Sequence, residues 1–440
     1  MNRRLLFAAG GLALALTACS KPHFPPEQQY GADARLPDPV QYLFPPMGIA
    51  KPVGWKNGEM PKVPAGFTIV PFATDLKTPR NVLPLANGDV LVVESASPGT
   101  EPKLRPKDLV FNYVIGQAHG PTKAGNDVVL LRDTDGDGTA DQRSVLIPKL
   151  NSPFGIALSG GKLYIGETDG IREWDFAPGQ TSVSGPGRLV TALPGPPIDH
   201  HWTKDIVVSP DGSKLYAGVG SNSNIVENGL EAEKNRALIF EVDLPSGAKR
   251  PFATGLRNPN GLTFNPETGQ LWTVVNERDE LGNNLVPDYL TSVKEGAFYG
   301  WPWSYYGPHV DVRVKPARPD KVRQAIAPDY SLSSHVAPLG LAWGPASWPA
   351  GYAGGAFIGE HGSWDREVFT GYEVAFVPFA GGRPAGKLQH FVTGFIADGK
   401  AKGRPVGLAF GPAGALYVAD DVGNVVWRIV PSAAAKPTAG

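Results

Sequence analysis

The densest set of cation-binding oxygens in the chain is Arg132-Asp133-Thr134-Asp135-Gly136-Asp137-Gly138-Thr139-Ala140-Asp141. Asp133, Asp135, Asp137, Thr139 and Asp141 follow the spacing of a calcium loop. In such loops hard oxygens surround the ion, and glycine at the sixth place, here Gly138, permits a sharp turn. The twelfth place is Ser144 rather than the glutamate of an EF-hand, and the flanks VVLLR and RSVLI read as strands. A structural calcium site at a hairpin tip is expected, with an ion-free acidic turn as the competing reading. A second group, Asp199-His200-His201-Trp202-Thr203-Lys204-Asp205, runs directly into the turn strand VVSPDG. A histidine at a strand mouth can accept a proton near neutral pH; the competing reading is packing or hairpin capping. Three further phrases are rich in polar and aromatic groups: Gly255-Leu256-Arg257-Asn258-Pro259, Asn276-Glu277-Arg278-Asp279, and Gly296 to Pro302.

The elements that must hold these residues are legible as a repeat. A short apolar strand, a turn of Pro, Asn, Asp and Gly, and a Leu-aromatic-β-branched strand recur six times. The copies are VLPLANGDVLVV, FGIALSGGKLYIGE, DIVVSPDGSKLYAGVG, GLTFNPETGQLWTVV, GLAWGPASWPAGYAGGAFIGE and GLAFGPAGALYVAD. Alternating apolar residues around such turns are hairpin grammar. Six copies over the region from residue 65 to 432 predict an all-β, six-bladed β-propeller; a pair of β-sandwiches is the structural alternative. Closure into a ring reconciles 440 residues with the size at which single cores stop growing. Glycine (54) and proline (44) are abundant but stay below the share typical of aperiodic disordered chains.

Lysine plus arginine (41) against aspartate plus glutamate (42) leaves a formal charge of −1, so no basic excess exists to neutralise nucleic-acid phosphates. The lone cysteine, Cys19, excludes an intrachain disulfide or a thiolate metal centre. Residues 1–19 have a basic start, an apolar stretch too short to span a bilayer, and the ending Leu16-Thr17-Ala18-Cys19. That ending resembles a bacterial lipobox, so lipidation at Cys19 is expected. By analogy with lipoprotein sorting, Ser20 at the next place favours the outer membrane, with the protein facing the periplasm. Residues 20–64 are proline-rich and read as a tether and extended wrap, and residues 433–440 as a flexible tail.

Taken together, the His201 phrase before its Pro-Asp-Gly turn, Arg257-Asn258-Pro259, and Gly296 to Pro302 resemble the quinoprotein glucose/sorbosone dehydrogenase family. Among its branches the chain resembles the sorbosone dehydrogenase-like proteins, through His201-Trp202-Thr203 and Gly359 to Trp364. The resemblance implies a pyrroloquinoline quinone (PQQ) and calcium-dependent oxidation of an aldose or sorbosone-like aldehyde. His201 would be the base, Arg257 would stabilise charge on the quinone, and Asn258 would position it. Arg404 matches a family arginine with Lys402 nearby, and His361 or Arg366 would stand in for a family lysine absent here. Backbone carbonyls of Arg278 and Asp279 would hold the PQQ-associated calcium. A second family arginine is replaced by Val406, and the family's aspartate before the base by His200. With no Cys-x-x-Cys-His haem motif, electrons would leave to an external quinone or cytochrome. Two other functions remain in view: a gluconolactonase-like calcium-dependent hydrolase, and a non-catalytic lipid-tethered binding propeller.

Overall fold

A computed structural model describes residues 24–42, 47–99 and 122–432, with a few further positions between 113 and 120. The expected signal segment with Cys19, and the expected tail 433–440, lie outside the described residues. Among the described residues the dominant elements are six antiparallel sheets of four or five strands. Sheet 1 comprises Pro79–Pro84, Val90–Glu94, Asp127–Arg132 and Gln142–Ile147. Sheet 2 comprises Gly155–Ser159, Lys162–Glu167, Gly170–Asp175 and Arg188–Ala192. Sheet 3 is formed by Ile206–Val208, Lys214–Val219, Leu238–Asp243 and Lys249–Thr254. Pro259–Phe264, Leu271–Val275, Pro287–Ser292 and Tyr330–Ser334 make sheet 4. Sheet 5 follows with Pro338–Trp343, Ala356–Glu360, Glu373–Val377 and Gln389–Val392. Sheet 6 uses Pro405–Phe410, Leu416–Asp420 and Val425–Pro431, and takes its fourth strand, Phe67–Ala73, from the other end of the chain.

Each repeated phrase forms the first hairpin of one sheet. The sheets bury both faces, because a separate apolar core sits between each consecutive pair. Leu163 and Trp174 of sheet 2 pack on Leu91 and Leu130 of sheet 1. The sixth sheet returns to the first through Phe72 and Tyr417 against Val82 and Val90. Burial on both sides explains continuous apolar strands such as Val90–Glu94, buried at every position. This is propeller packing rather than two stacked sandwiches.

The first strands begin on a common pattern: Pro79-Arg80-Asn81-Val82, Pro153-Phe154-Gly155-Ile156, Thr203-Lys204-Asp205-Ile206, Pro259-Asn260-Gly261-Leu262, Pro338-Leu339-Gly340-Leu341 and Pro405-Val406-Gly407-Leu408. The second place faces inward: Phe154, Leu339 and Val406, from three different sheets, meet in one buried cluster with Trp202 against it. Where the third place is glycine, a side chain has no room. A Cβ on Gly340 would lie 2.3 Å from the Val406 carbonyl, and one on Gly155 would lie 2.6 Å from the Lys204 carbonyl. Where this place is polar, it is used to join sheets: Asp205 accepts the Leu262 amide at 2.8 Å, and Asn81 donates to the Phe154 carbonyl at 3.3 Å. The second strands repeat the economy, with Gly359 facing the Val406 carbonyl at 2.1 Å from a hypothetical Cβ.

The proline-rich stretch lies against these sheets. Tyr30–Gly31 pairs with the outer strand of sheet 4, and Lys51–Pro52 pairs with Lys400–Ala401. The acidic loop Asp133 to Asp141 joins the last two strands of sheet 1, the hairpin position expected for it.

Gly359→Ala should destabilise the fold by about 1–3 kcal/mol, the usual cost of overpacking, seen as a lower midpoint in denaturant unfolding. An unchanged midpoint would show that the inner strands are not held this close.

Candidate active site

His201 precedes the first strand of sheet 3 and is tied to the second strand's exit. Its Nδ1 lies 3.0 Å from both the carbonyl and the Oγ of Ser221. Ser221 Oγ gives its own proton to the Ser223 carbonyl at 2.7 Å. Both Ser221 oxygens can therefore only accept, so the proton sits on Nδ1 and Nε2 is the basic atom. Burial, then the neighbouring charges of His200, Arg257 and Arg236, hold this imidazole well below its ordinary pKa. It is neutral at neutral pH. Gly220 makes room for it: a Cβ there would lie 2.4 Å from both His201 Cβ and Asn258 Oδ1. Asn258 thus sits beside His201, and its Oδ1 is buried without a hydrogen-bond partner.

Arg257 is buried and its donors are all engaged. Nε reaches the Asn224 carbonyl, Nη1 the Asn276 and Glu277 carbonyls (3.3 and 2.7 Å), and Nη2 both Asn224 Oδ1 (3.1 Å) and Asp279 Oδ2 (2.9 Å). It can lend charge to a bound anion, but as placed it has no free N–H to donate. Asn224 is the hinge of this lattice, also accepting the Asp279 amide at 2.9 Å. Trp301, from the Gly296 to Pro302 phrase, fixes it by donating to its carbonyl at 2.9 Å. Arg278 turns away to an ion pair with Asp311, both buried.

A third cluster joins sheets 5, 6 and 1. Asp421 accepts from His361 Nε2 at 2.9 Å and from the Arg80 guanidinium. Burial outweighs Asp421 and pushes His361 down to about 4, so the contact is a neutral N–H donating to a carboxylate, while its two donors keep Asp421 ionised. Arg80 lies over the rings of Trp202 (5.5 Å) and Phe154 (5.8 Å), linking this cluster to the residue after His201. Arg404 is buried over Tyr372, 5.1 Å from the ring centroid. Arg80 Nε and Arg404 Nε are both buried without partners.

Two expected cofactor ligands are not brought here. Lys402 pairs with Glu59 of the N-terminal stretch at 2.9 Å. Arg366 is committed to the Ser334 carbonyl and Asn284 Oδ1, each at 3.2 Å. Both are correct residue types in a plausible phrase, captured by acceptors from distant segments. Arg80, Ser221, Asn224 and Asp421 went unnoticed in the sequence; the Arg-Asn pair that Arg80 and Asn81 share with Arg257 and Asn258 was the available signal for the first. In the acidic loop, Asp133, Asp135 and Asp137 converge, each placing an oxygen within 4.8 Å of the others. Asp133 also accepts the Gly136 and Gly138 amides (2.7 and 2.9 Å), and Asp141 is turned to the Thr134 amide and hydroxyl instead. Thr139 gives its amide to Asp137 at 2.7 Å.

A family model described as TrAA12-like matches residues 122–292 and 318–431, well over half of the sequence. The chain belongs to the TrAA12-like family. It is 25% identical over 358 residues to a PQQ-dependent pyranose dehydrogenase of Coprinopsis cinerea, covering 71% of this chain and 44% of that longer protein. An uncharacterized protein of Borreliella burgdorferi is 28% identical over 292 residues, covering 64% of this chain and 76% of its own length. The fold is similar to that of the PQQ domain of the Coprinopsis cinerea pyranose dehydrogenase in its holo form. The TM-score is 0.68 at 20% identity, over 87% of this chain and 99% of that one. The PQQ-bound aldose sugar dehydrogenase of Streptomyces coelicolor gives a TM-score of 0.52 at 17% identity, over 84% and 100%. The sorbosone branch finds no support of its own in these likenesses.

The residues present fit a tricarboxylate quinone: Arg80 and Arg404 carry buried, uncommitted Nε donors, and Asn258 offers an uncommitted Oδ1. They do not fit calcium on the backbone of Arg278 and Asp279. The Asp279 carbonyl already accepts from Arg278 Nη1 and from Asn224 Nδ2 (3.1 Å), so a guanidinium occupies the approach a cation would need.

The support under His201 is a buried ion network. Asp199 accepts from Lys204 Nζ at 3.2 Å and Arg236 Nη1 at 2.9 Å, all three almost wholly buried. Burial pushes the Lys204 ammonium down to about 8. Asp199→Asn should cost about 3–5 kcal/mol of stability, because two buried cations lose their counter-ion. Adding Lys204→Met should recover part of it. Equal stability of wild type and Asp199→Asn in denaturant unfolding would contradict the network.

Proposed function

We propose that the chain is a PQQ-dependent dehydrogenase of aldoses or related aldehydes, built as a closed ring of six blades with its site at one mouth of the ring. The observation that carries the reading is a neutral base, His201 with Nε2 basic, followed by Trp202, over whose ring lies Arg80; Arg80 and Arg404 each keep a buried Nε without a partner. The PQQ-linked pyranose and aldose sugar dehydrogenases that the chain is similar to support it.

When bound, PQQ supplies an electron-poor carbon that accepts a hydride. Arg80 and Arg404 would hold its carboxylates, and Asn258 would orient it beside His201. His201 Nε2 takes the proton of the sugar's anomeric hydroxyl, and the Ser221 oxygens hold the resulting imidazolium by accepting from Nδ1. Arg257 contributes positive charge from its closed lattice. An external acceptor would take up the electrons. Calcium in the acidic loop stabilises the sheet 1 hairpin. Lipidation at Cys19 places the domain on the periplasmic face of the outer membrane.

Chelator-treated, PQQ-loaded protein with calcium restored should reduce a redox dye with a panel of aldoses and sorbosone, and His201→Ala should lower kcat by about 10²–10⁴. Absence of both PQQ binding and PQQ-dependent dye reduction would refute the reading. Asp279, His335 and Asp365 also converge near His200, so lactone hydrolysis without PQQ is the competing outcome of the same assay.

The pH dependence has a defined sign. Because burial, His200, Arg257 and Arg236 depress the His201 pKa, its basic form persists as pH falls through 6.5 and is lost only below that. The acid limb of kcat/KM should therefore lie well below pH 6.5; a limb at or above that value assigned to His201 would contradict the tautomer and burial argument.

A further inference from the structure

Between sheets 4 and 5, beneath the Arg257 lattice, three side chains from separate segments converge. Asp279 follows the second strand of sheet 4, His335 follows its fourth, and Asp365 lies in the loop after Glu360. Each places one ligand atom within 4.8 Å of the other two, and His335 and Asp365 are almost fully buried. The hydrogen bonds decide what those atoms are. His335 Nε2 lies 3.1 Å from the Gly282 carbonyl, which can only accept, so Nε2 carries a proton. Nδ1 lies 3.3 Å from Asp279 Oδ1. With no ion bound, burial is outweighed by Asp279, Asp365 and Asp288, which hold this imidazole up at about 9, so it donates there; a bound cation takes the place of that proton. Two donors held by one small cation at about 2.0–2.1 Å in tetrahedral geometry are themselves about 3.3 Å apart.

Each ligand is also held from behind, as metal ligands are. Arg257 Nη2 binds the far oxygen of Asp279, Oδ2, at 2.9 Å. The Glu280 amide binds Asp365 Oδ2 at 2.7 Å. That leaves Asp365 Oδ1, which is buried and has no hydrogen-bond partner. Burial pushes Asp365 up to about 7, so this oxygen takes either a proton or a cation, and a divalent ion is the stronger competitor once the two other ligands are in place.

We infer that Asp279 Oδ1, His335 Nδ1 and Asp365 Oδ1 form a divalent-metal site for a borderline ion such as Zn²⁺, Co²⁺ or Mn²⁺. Mixed imidazole and carboxylate donors suit these ions, whereas calcium prefers six to eight oxygens. The site is separate from the acidic loop of sheet 1, whose donors are oxygens alone. It needs no PQQ, so it stands or falls independently of the proposed dehydrogenase activity.

The test uses the full chain after chelator treatment and dialysis. Co²⁺ is added to a variant carrying Asp135→Asn and Asp137→Asn, which silences the loop, and binding is followed by visible absorption and by metal analysis. One equivalent of Co²⁺ is expected, with absorption bands of a nitrogen-containing low-coordinate site, displaced by Zn²⁺ but not by millimolar Ca²⁺. Asp365→Asn and His335→Gln, in the same background, should each weaken Co²⁺ at least about 100-fold, the upper range for losing even an outer-shell partner. Circular dichroism establishes that each variant is folded, and a Zn²⁺-dependent rise in the melting temperature of the parent, absent from Asp365→Asn, provides a second readout. No bound Co²⁺ in the loop-silenced parent, or equal binding by a folded His335→Gln or Asp365→Asn variant, would overturn the site and leave His335 as an imidazolium between two carboxylates.

Discussion

The structure depends on how closely six first strands approach one another around a common centre. Backbone carbonyls of Lys204, Pro259 and Val406 come so near the neighbouring sheet that only glycine fits at Gly166, Gly218 and Gly359, where a Cβ would lie 2.1–2.7 Å away. This is a packing constraint, and it has a chemical consequence. With the strands drawn in, Phe154, Leu339 and Val406 close the centre as an apolar plug. The same strand place in the other sheets carries Arg80, Lys204 and Asn260. A floor of hydrocarbon thus lies under a rim of polar groups, and that arrangement lowers the local dielectric in which His201 and the arginines act.

The rim is economical with charge. Lys204 and Arg236 share Asp199, Arg278 takes Asp311, and Arg257 spends five donors on carbonyls, an amide and Asp279. Those cations rigidify loops. Arg80 and Arg404 each keep a buried Nε without a partner, as Arg278 keeps its Nη2 beside the Asp311 ion pair. In a site this dry, an unsatisfied donor is expensive, and an anionic ligand is the natural way to satisfy it. The positions of the unpaired donors therefore say more about binding than the number of basic residues nearby.

Much of the fold was legible because its information is local. Alternating apolar residues and Gly/Asp/Asn turns mark the first hairpin of every sheet, and all six phrases found in the sequence are such hairpins. The outer strand Phe67–Ala73 was not, because its partner Val425–Pro431 lies at the other end of the chain and no periodicity records a pairing that distant. The site was legible in part for the same reason. His201, Asn258, His361 and Arg404 sit in phrases with recognisable form, and the structure sets Asn258 beside His201 and His361 on the carboxylate that Arg80 shares. Lys402 and Arg366 sit in similar phrases but are captured by Glu59 and by Ser334 with Asn284. A long cationic side chain can swing either way, and remote acceptors decide. The trio Asp279, His335 and Asp365 had no spacing signal at all, since three loops supply it.

The proposed mechanism turns on one site, a quinone held at the mouth of the ring with His201 Nε2 as its base. A crystal structure of the protein soaked with PQQ would show it. Density for the tricarboxylate is expected over the Phe154, Leu339 and Val406 plug, with carboxylates on Arg80 and Arg404 and the quinone beside His201. Density bound elsewhere, or none at saturating PQQ with that mouth unobstructed by crystal contacts, would contradict it.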